Sequence, residues 1–252
     1  MLLNAKMIEG YSLRTPEGEI GKVKDLYFDD RQWRIRYLVV DTGGWLSVDH
    51  VLISPESLDL PNHENQTIPA ALTKEQVESS PRAEATKTPT AEYEAALRTH
   101  YAWTGYWSAF AAPVVDPVLS GNSVKETTSG ATGDPGTANP LTHRLQRVHE
   151  VHSWSIQATD GEIGHVEDVI IAPERDWEIS QILIDTRNWL PGRKVLVAPL
   201  WVSEFNSERK QVEIKLDRET IKGAPRFDPD KRLDPAYESE LKAHYQSSPA
   251  PR

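Results

Sequence analysis

Asp25 and Asp168 close the same eight-residue frame, Gly-Glu-Ile-Gly-x-Val-x-Asp, at positions 18–25 and 161–168. A carboxylate fixed in such a frame could act as a general acid or base. Each, however, alternates with apolar residues, Val23 and Tyr27 or Val166 and Ile170, and so shares their face. A half-buried carboxylate must be hydrogen-bonded or paired, so the frame predicts a structural role, bonding turn amides or an arginine. Asp41 and Asp185, each followed by threonine at a strand end, read as turn-formers rather than catalysts. Gly18, Gly21, Gly161 and Gly164 are structural members of the same frames.

Histidines invite a metal reading, because His143, His149, His152 and His165 crowd one region. His149-Glu150-Val151-His152 is one residue short of the metalloprotease spacing, which sets two histidines one helical turn apart. Lys6, Glu9 and Lys22 stand at the corresponding places of the earlier frame and are not ligands of the same kind, so no metal site is assigned. The chain has no cysteine, which excludes disulfides, thiolate metal sites and cysteine nucleophiles. It shows no glycine-rich phosphate loop and no serine nucleophile elbow. No catalytic residue and no cofactor is assigned, and the chain reads as a non-enzyme. The candidate protein-binding residues are tryptophans, a type enriched at interface hot spots. Trp45 and Trp189 each lie beside a turn, where they could anchor a partner or plug the end of a small barrel. Trp103 and Trp107 carry a similar ambiguity between docking on their own domain and on a partner.

What must position these residues is a scaffold built twice. The first frames match at an offset of 143 (161 minus 18), and from Trp33 and Trp177 onward the offset is 144 (177 minus 33). The register continues to Tyr93–Tyr101 against Tyr237–Tyr245. One inserted residue over that distance is a tandem duplication. Within each copy the pattern is of strands, near Tyr11–Leu13, Ile20–Phe28, Ile35–Val40 and Val51–Ile53, and at their counterparts. Weaker strands are expected near Ser57–Leu60, Thr67–Ala70, Val202–Phe205 and Gln211–Leu216. Thr73 and Asp217 are N-caps of short helices. Residues 92–101 and 236–245 are amphipathic helices that place Tyr93, Leu97 and Tyr101, or Tyr237, Leu241 and Tyr245, on one face. The expected fold is therefore mainly β, two tandem small β-barrels, each followed by short helices. A first domain over 1–101 and a second over 144–252 are joined by 102–143, an aromatic segment leading into a linker. Its 122–140 stretch is rich in Ser, Thr, Gly, Pro and Ala.

Composition narrows the partners. A formal charge of −10 over 252 residues, with a pI near 5.3, makes nucleic acid an unlikely partner, since phosphate contacts need a Lys and Arg surplus. The N-terminal residues are too quickly polar for a signal peptide, and no apolar run approaches the roughly 20 residues of a membrane span. The expectation is a soluble, cytoplasmic protein with no transmembrane segment.

The matched stretches, 159–168 with 182–197 and their first-copy counterparts, resemble the PRC-barrel family. The first copy diverges where 43–50 replaces the Pro-Gly-basic turn of the second. The resemblance implies small β-barrels and protein–protein contact rather than catalysis. The family includes the cytoplasmic part of the photosynthetic reaction centre H subunit, the C-terminal half of RimM-type ribosome-maturation factors, and stand-alone proteins, which this chain looks most like. The expected function is binding and assembly of unidentified protein partners, as a homo-oligomer or as an internal pseudo-dimer. Alternatives are a ribosome- or RNA-associated maturation factor and a peripheral accessory of a photosynthetic or other membrane complex.

Overall fold

The computed structural model describes residues 2–43, 50–81, 88–104, 145–186, 193–229 and 234–246. The linker stretch 122–140, Trp45, Trp107, Trp189 and His143 lie outside the described residues. The architecture is mainly β. In the first half come β1 (Leu3–Asn4), α1 (Ala5–Ile8), β2 (Ser12–Thr15), β3 (Gly18–Asp29), β4 (Arg34–Asp41), β5 (His50–Ile53), β6 (Thr67–Pro69), α2 (Lys74–Glu78) and α3 (Ala91–Tyr101). The second half repeats them as β7 (Leu145–Arg147), α4 (Val148–Val151), β8 (Ser155–Ala158), β9 (Gly161–Ala172), β10 (Glu178–Asp185) and β11 (Lys194–Val197). It continues with β12 (Val202–Asn206), β13 (Gln211–Ile214), α5 (Arg218–Gly223) and α6 (Pro235–Gln246).

Among the described residues the strands join one 13-stranded sheet, in the order β12-β13-β8-β9-β10-β4-β3-β2-β6 with β1, β5, β7 and β11 as branches. Its hydrogen-bonded path does not close into a barrel. After β5 and β11 both halves enter a 3-10 turn at a proline, Pro55–Ser57 and Pro199–Trp201, and only the second half goes on to a strand, although the sequence suggests a weak one near Ser57–Leu60 as well. Pro61 then stands at the place of Phe205 (205 minus 144), within β12. A proline cannot donate to a ladder, and only the isolated bridges Leu58–Ala70 and Asn62–Thr67 link this stretch to the β6 side.

β2 and β3 form a hairpin with Thr15 opposite Gly18, repeated by β8 and β9 with Ala158 opposite Gly161, and β3 then pairs antiparallel with β4 as β9 does with β10. Gly21 and Gly164 are obligatory there, because an added Cβ would collide with the carbonyl oxygen of Asp41 or Asp185 on the facing strand. The predicted caps form: Thr73 accepts from the Gln76 amide and Asp217 from the Thr220 amide. α3 and α6 bury Leu97 and Leu241 and direct the Tyr93 and Tyr237 hydroxyls to the carbonyls of Pro81 and Pro225, 3.0 Å in each case.

The halves are joined reciprocally. β1 of the first half pairs with β9 of the second, Leu3 opposite Ile171. β7 of the second half pairs with β3 of the first, Gln146 opposite Phe28. These two pairings interchange under the 143-residue offset (146 minus 3, 171 minus 28). Arg34 of β4 faces Glu178 of β10, its own counterpart, so the axis relating the halves passes between them. Around it the Ile35 amide donates to the Trp177 carbonyl (3.0 Å) and the Ile179 amide to the Trp33 carbonyl (2.6 Å). One buried apolar cluster runs through both halves.

Candidate functional site

The junction of the halves gathers the singled-out aspartates. α1 and α4 are single turns whose N-cap residues, Asn4 and Arg147, make no side-chain cap bond. The exposed helix amides are met from the other half. Asp168 Oδ2 accepts from the Lys6 amide (3.2 Å), and Asp25 Oδ1 accepts from the His149 amide (3.1 Å). Each Asp also accepts from the amide of the next residue, Leu26 or Val169, at 2.8 Å. A carboxylate in that place completes the start of a helix that its own cap leaves open.

The two sites differ in one partner. Arg147 Nε donates to Asp25 Oδ2 at 2.8 Å, and its guanidinium lies 5.4 Å from the centre of the Tyr27 ring. The matching position beside Asp168 is Asn4 (147 minus 143), whose amide side chain turns to the Pro229 carbonyl. Burial pushes the Asp168 carboxyl up to about 7, against the opposing pull of the Val169 and Lys6 amides and the Lys6 charge.

Asp41 accepts from the Gly43 amide (2.8 Å) and pairs with Lys24 Nζ (3.4 Å). That amide first, then the lysine, holds its carboxyl below the usual range. Asp185 is buried across from His165 in the β9–β10 register, and Glu167 joins them. The ligand atoms of His165, Glu167 and Asp185 lie within 4.8 Å of one another, a grouping that strand pairing creates and local spacing hides. Alternation puts His165 and Glu167 on one face; the part missing from a linear reading is Asp185, 20 residues on (185 minus 165). The cluster is an ion-pair network: Lys194 Nζ is 2.8 Å from Glu167 Oε1, and Lys6 Nζ of the other half is 3.8 Å from the same oxygen. Burial pushes Glu167 up, but these lysines outweigh it and hold its carboxyl below the usual range. The first half keeps a charged cluster with other residue types, Lys22, Lys24 and Asp41, at the same places. Of the remaining histidines, His149 offers its backbone amide to Asp25, and His152 Nδ1 lies 2.9 Å from the Glu167 carbonyl.

Trp103, a candidate partner contact on sequence grounds, is 8% exposed. It stacks on Tyr101 at 4.4 Å and donates to Ser57 Oγ at 2.6 Å, so its ring fills its own half's core and leaves little surface for a partner. At the place of Ser57 the second half has Trp201 (57 plus 144), which packs on Tyr245. The same hollow is thus filled by a tryptophan from a different point of the chain. Trp33 and Trp177, not singled out by motif, flank the axis in left-handed backbone (φ 55° and 56°). Trp33 meets Phe205 of the other half at 5.5 Å. An open groove of about 700 Å³ along this junction is lined by Gln146, Glu150, Trp154, Phe205 and Lys210 beside Thr88.

No helix among the described residues is long and apolar enough to cross a membrane. Residues 6–74 match the family model of the PRC-barrel domain. A comparison with curated proteins found no match.

Proposed function

From a chain that carries a PRC-barrel domain at residues 6–74, we propose a non-enzymatic binding and assembly protein built from two PRC-barrel units. The units span 1–101 and 144–252, with 102–143 between them, and pair as an internal pseudo-dimer that presents its surfaces to other proteins. The observation that carries this reading is the reciprocity of the junction. Strand exchange and the Asp25 and Asp168 caps occur in both directions, as in an isologous interface where each side repeats the contacts of the other. The aspartates a catalyst could have used are engaged in backbone amides and cations, which supports a scaffolding role.

Partner contact is assigned to Trp45 and Trp189, which hold equivalent positions in the two halves. Two equivalent anchors on one chain would raise avidity through effective concentration. The test is in-cell cross-linking of the full chain followed by capture, run beside W45A/W189A. A protein retained by the unmodified chain and lost from the double variant is the expected result. Equal recovery from both, or turnover of a small-molecule library by the purified chain, would overturn the reading.

A further inference from the structure

The backbone contacts of the junction have no preference of their own. The strand exchange, the aspartate caps and the bonds around the axis occur twice, so two first halves or two second halves could make the same set. Side-chain charge is where the halves differ. On the axis Arg34 faces Glu178, and Arg34 Nη1 lies 2.9 Å from Asp176 Oδ2. Asp176 lies in the turn where the second half has its extra residue, and the residue before Trp33 in the shorter first-half turn is the uncharged Gln32. Away from the axis Lys6 Nζ lies 3.8 Å from Glu167 Oε1, and the counterpart of Glu167 is Lys24 (167 minus 143).

We propose that these charges make the junction heterotypic: each half accepts the other half, from its own chain or a second copy, and rejects another copy of itself. In a pair of first halves, Arg34 would face Arg34, and each Lys6 would meet Lys24. In a pair of second halves, Glu178 would face Glu178 with an Asp176 on either side. Selectivity is a difference between affinities, and repulsion in the wrong pairs contributes as much as attraction in the right one. The Arg147–Asp25 bond does not discriminate in this way, since Arg147 in a pair of second halves would find Asp168 in the same place. Pairs of second halves are therefore opposed at the axis alone, which makes Asp176 and Glu178 the sharpest positions to test. The selection has a purpose in a duplicated chain: it keeps neighbouring molecules from pairing like half with like half into open chains. It concerns the junction only and stands whether or not an outside protein binds.

The test starts from the whole folded protein. A specific protease site is inserted between residues 122 and 140, the purified chain is cut, and the fragments are unfolded in urea, refolded together so that they can exchange partners, and weighed by native mass spectrometry. The expected product is one species holding one copy of each fragment, with like-half pairs under about a tenth of the total. The same cut chain carrying D176N/E178Q keeps the backbone bonds and loses the repulsion, and pairs of second halves should rise by about tenfold. The charge-exchanged chain R34E/D176R/E178R should return to one copy of each. Fragments that separate as monomers, like-half pairs in the unmodified chain, or a D176N/E178Q chain that stays strictly one-to-one would each overturn the proposal. Circular dichroism of each uncut chain confirms that a changed pairing is not a failure to fold.

Discussion

Asp168 and Asp25 do the same job in different surroundings. Both complete the first turn of a helix contributed by the other half. Only Asp25 has an arginine on its second oxygen, because the equivalent of Arg147 beside Asp168 is Asn4. The folded-state pKa of Asp168 is raised to about 7 by burial, above the value near 3.9 of an unfolded aspartate. Between those two values the folded chain holds a proton that the unfolded chain has lost. The contribution of Asp168 is therefore greatest at low pH and falls as pH rises from about 4 to about 7. In D168N this dependence is absent. Urea unfolding of both proteins at pH 5 and pH 8 should show the unmodified chain losing on the order of 2 kcal/mol relative to the variant over that interval. Parallel pH profiles would show that the carboxyl is not buried as described. The sequence made part of this site readable. Alternation with apolar residues marked Asp25 and Asp168 as half-buried acids needing amide or arginine partners; both are buried outright, both accept from amides, and Asp25 also accepts from an arginine. It did not identify the partners, because the Lys6 and His149 amides lie 162 and 124 residues away, on the other half.

At the scale of elements, the strands and helices repeated between copies were the most legible. Gly-Glu-Ile-Gly hairpins, Thr73 and Asp217 caps, and the Tyr-Leu-Tyr faces of α3 and α6 all follow from local rules. The stretch after β5 was less so, since Pro61 interrupts it at the place where the second half has Phe205 within β12. The exchange of β1 and β7 had no local signature, as two- and three-residue strands are defined by the edge they meet. The anchor of α3 was likewise hidden. Arg36 on β4 donates from Nη1 to Asp29 (3.0 Å) and from Nη2 to Glu94 on α3 (3.1 Å), with Arg36 and Glu94 both buried. The second half has Ser180 in place of Arg36 (36 plus 144), so its α6 is docked without this pair. Removing one partner of a buried pair strands the other charge and costs about 3–5 kcal/mol, whereas replacing both with apolar residues can be nearly neutral. E94L leaves Arg36 its bond to Asp29, so it should lower stability by somewhat less, about 2–3 kcal/mol, and R36M/E94L should recover much of it. Hydrogen exchange would place the loss of protection in α3 and spare α6. A loss of similar size in the double variant would mean that the helix docks through shape rather than charge.

For the molecule as a whole, the reciprocal junction decides how the two halves unfold. Beads joined by a tether would melt separately, each by its own stability. Here β3 is bordered by a strand of the second half and β9 by a strand of the first, and the buried apolar residues form one continuous cluster. Each half also completes the other's α1 or α4 turn. Unfolding either half exposes the edge, the cap and the apolar face of its neighbour, so each should be less stable alone than in the whole chain. The chain should melt in one transition whose calorimetric and van't Hoff enthalpies agree, the signature of a two-state unit. A core truncation confined to one half provides the stricter test. L38A removes a fully buried side chain of β4 and should cost about 2–5 kcal/mol. If the junction couples the halves, the most protected amides of β9 and β10, on the other side, should lose protection by the same free energy as those of β3. Weakening the caps with D25A/D168A should reduce this response, because those two side chains complete helix starts across the junction in both directions while the backbone pairings remain. Two resolved melting transitions in the unmodified chain, or an L38A effect that stops at the axis, would show that the halves share a sheet without sharing a folding unit.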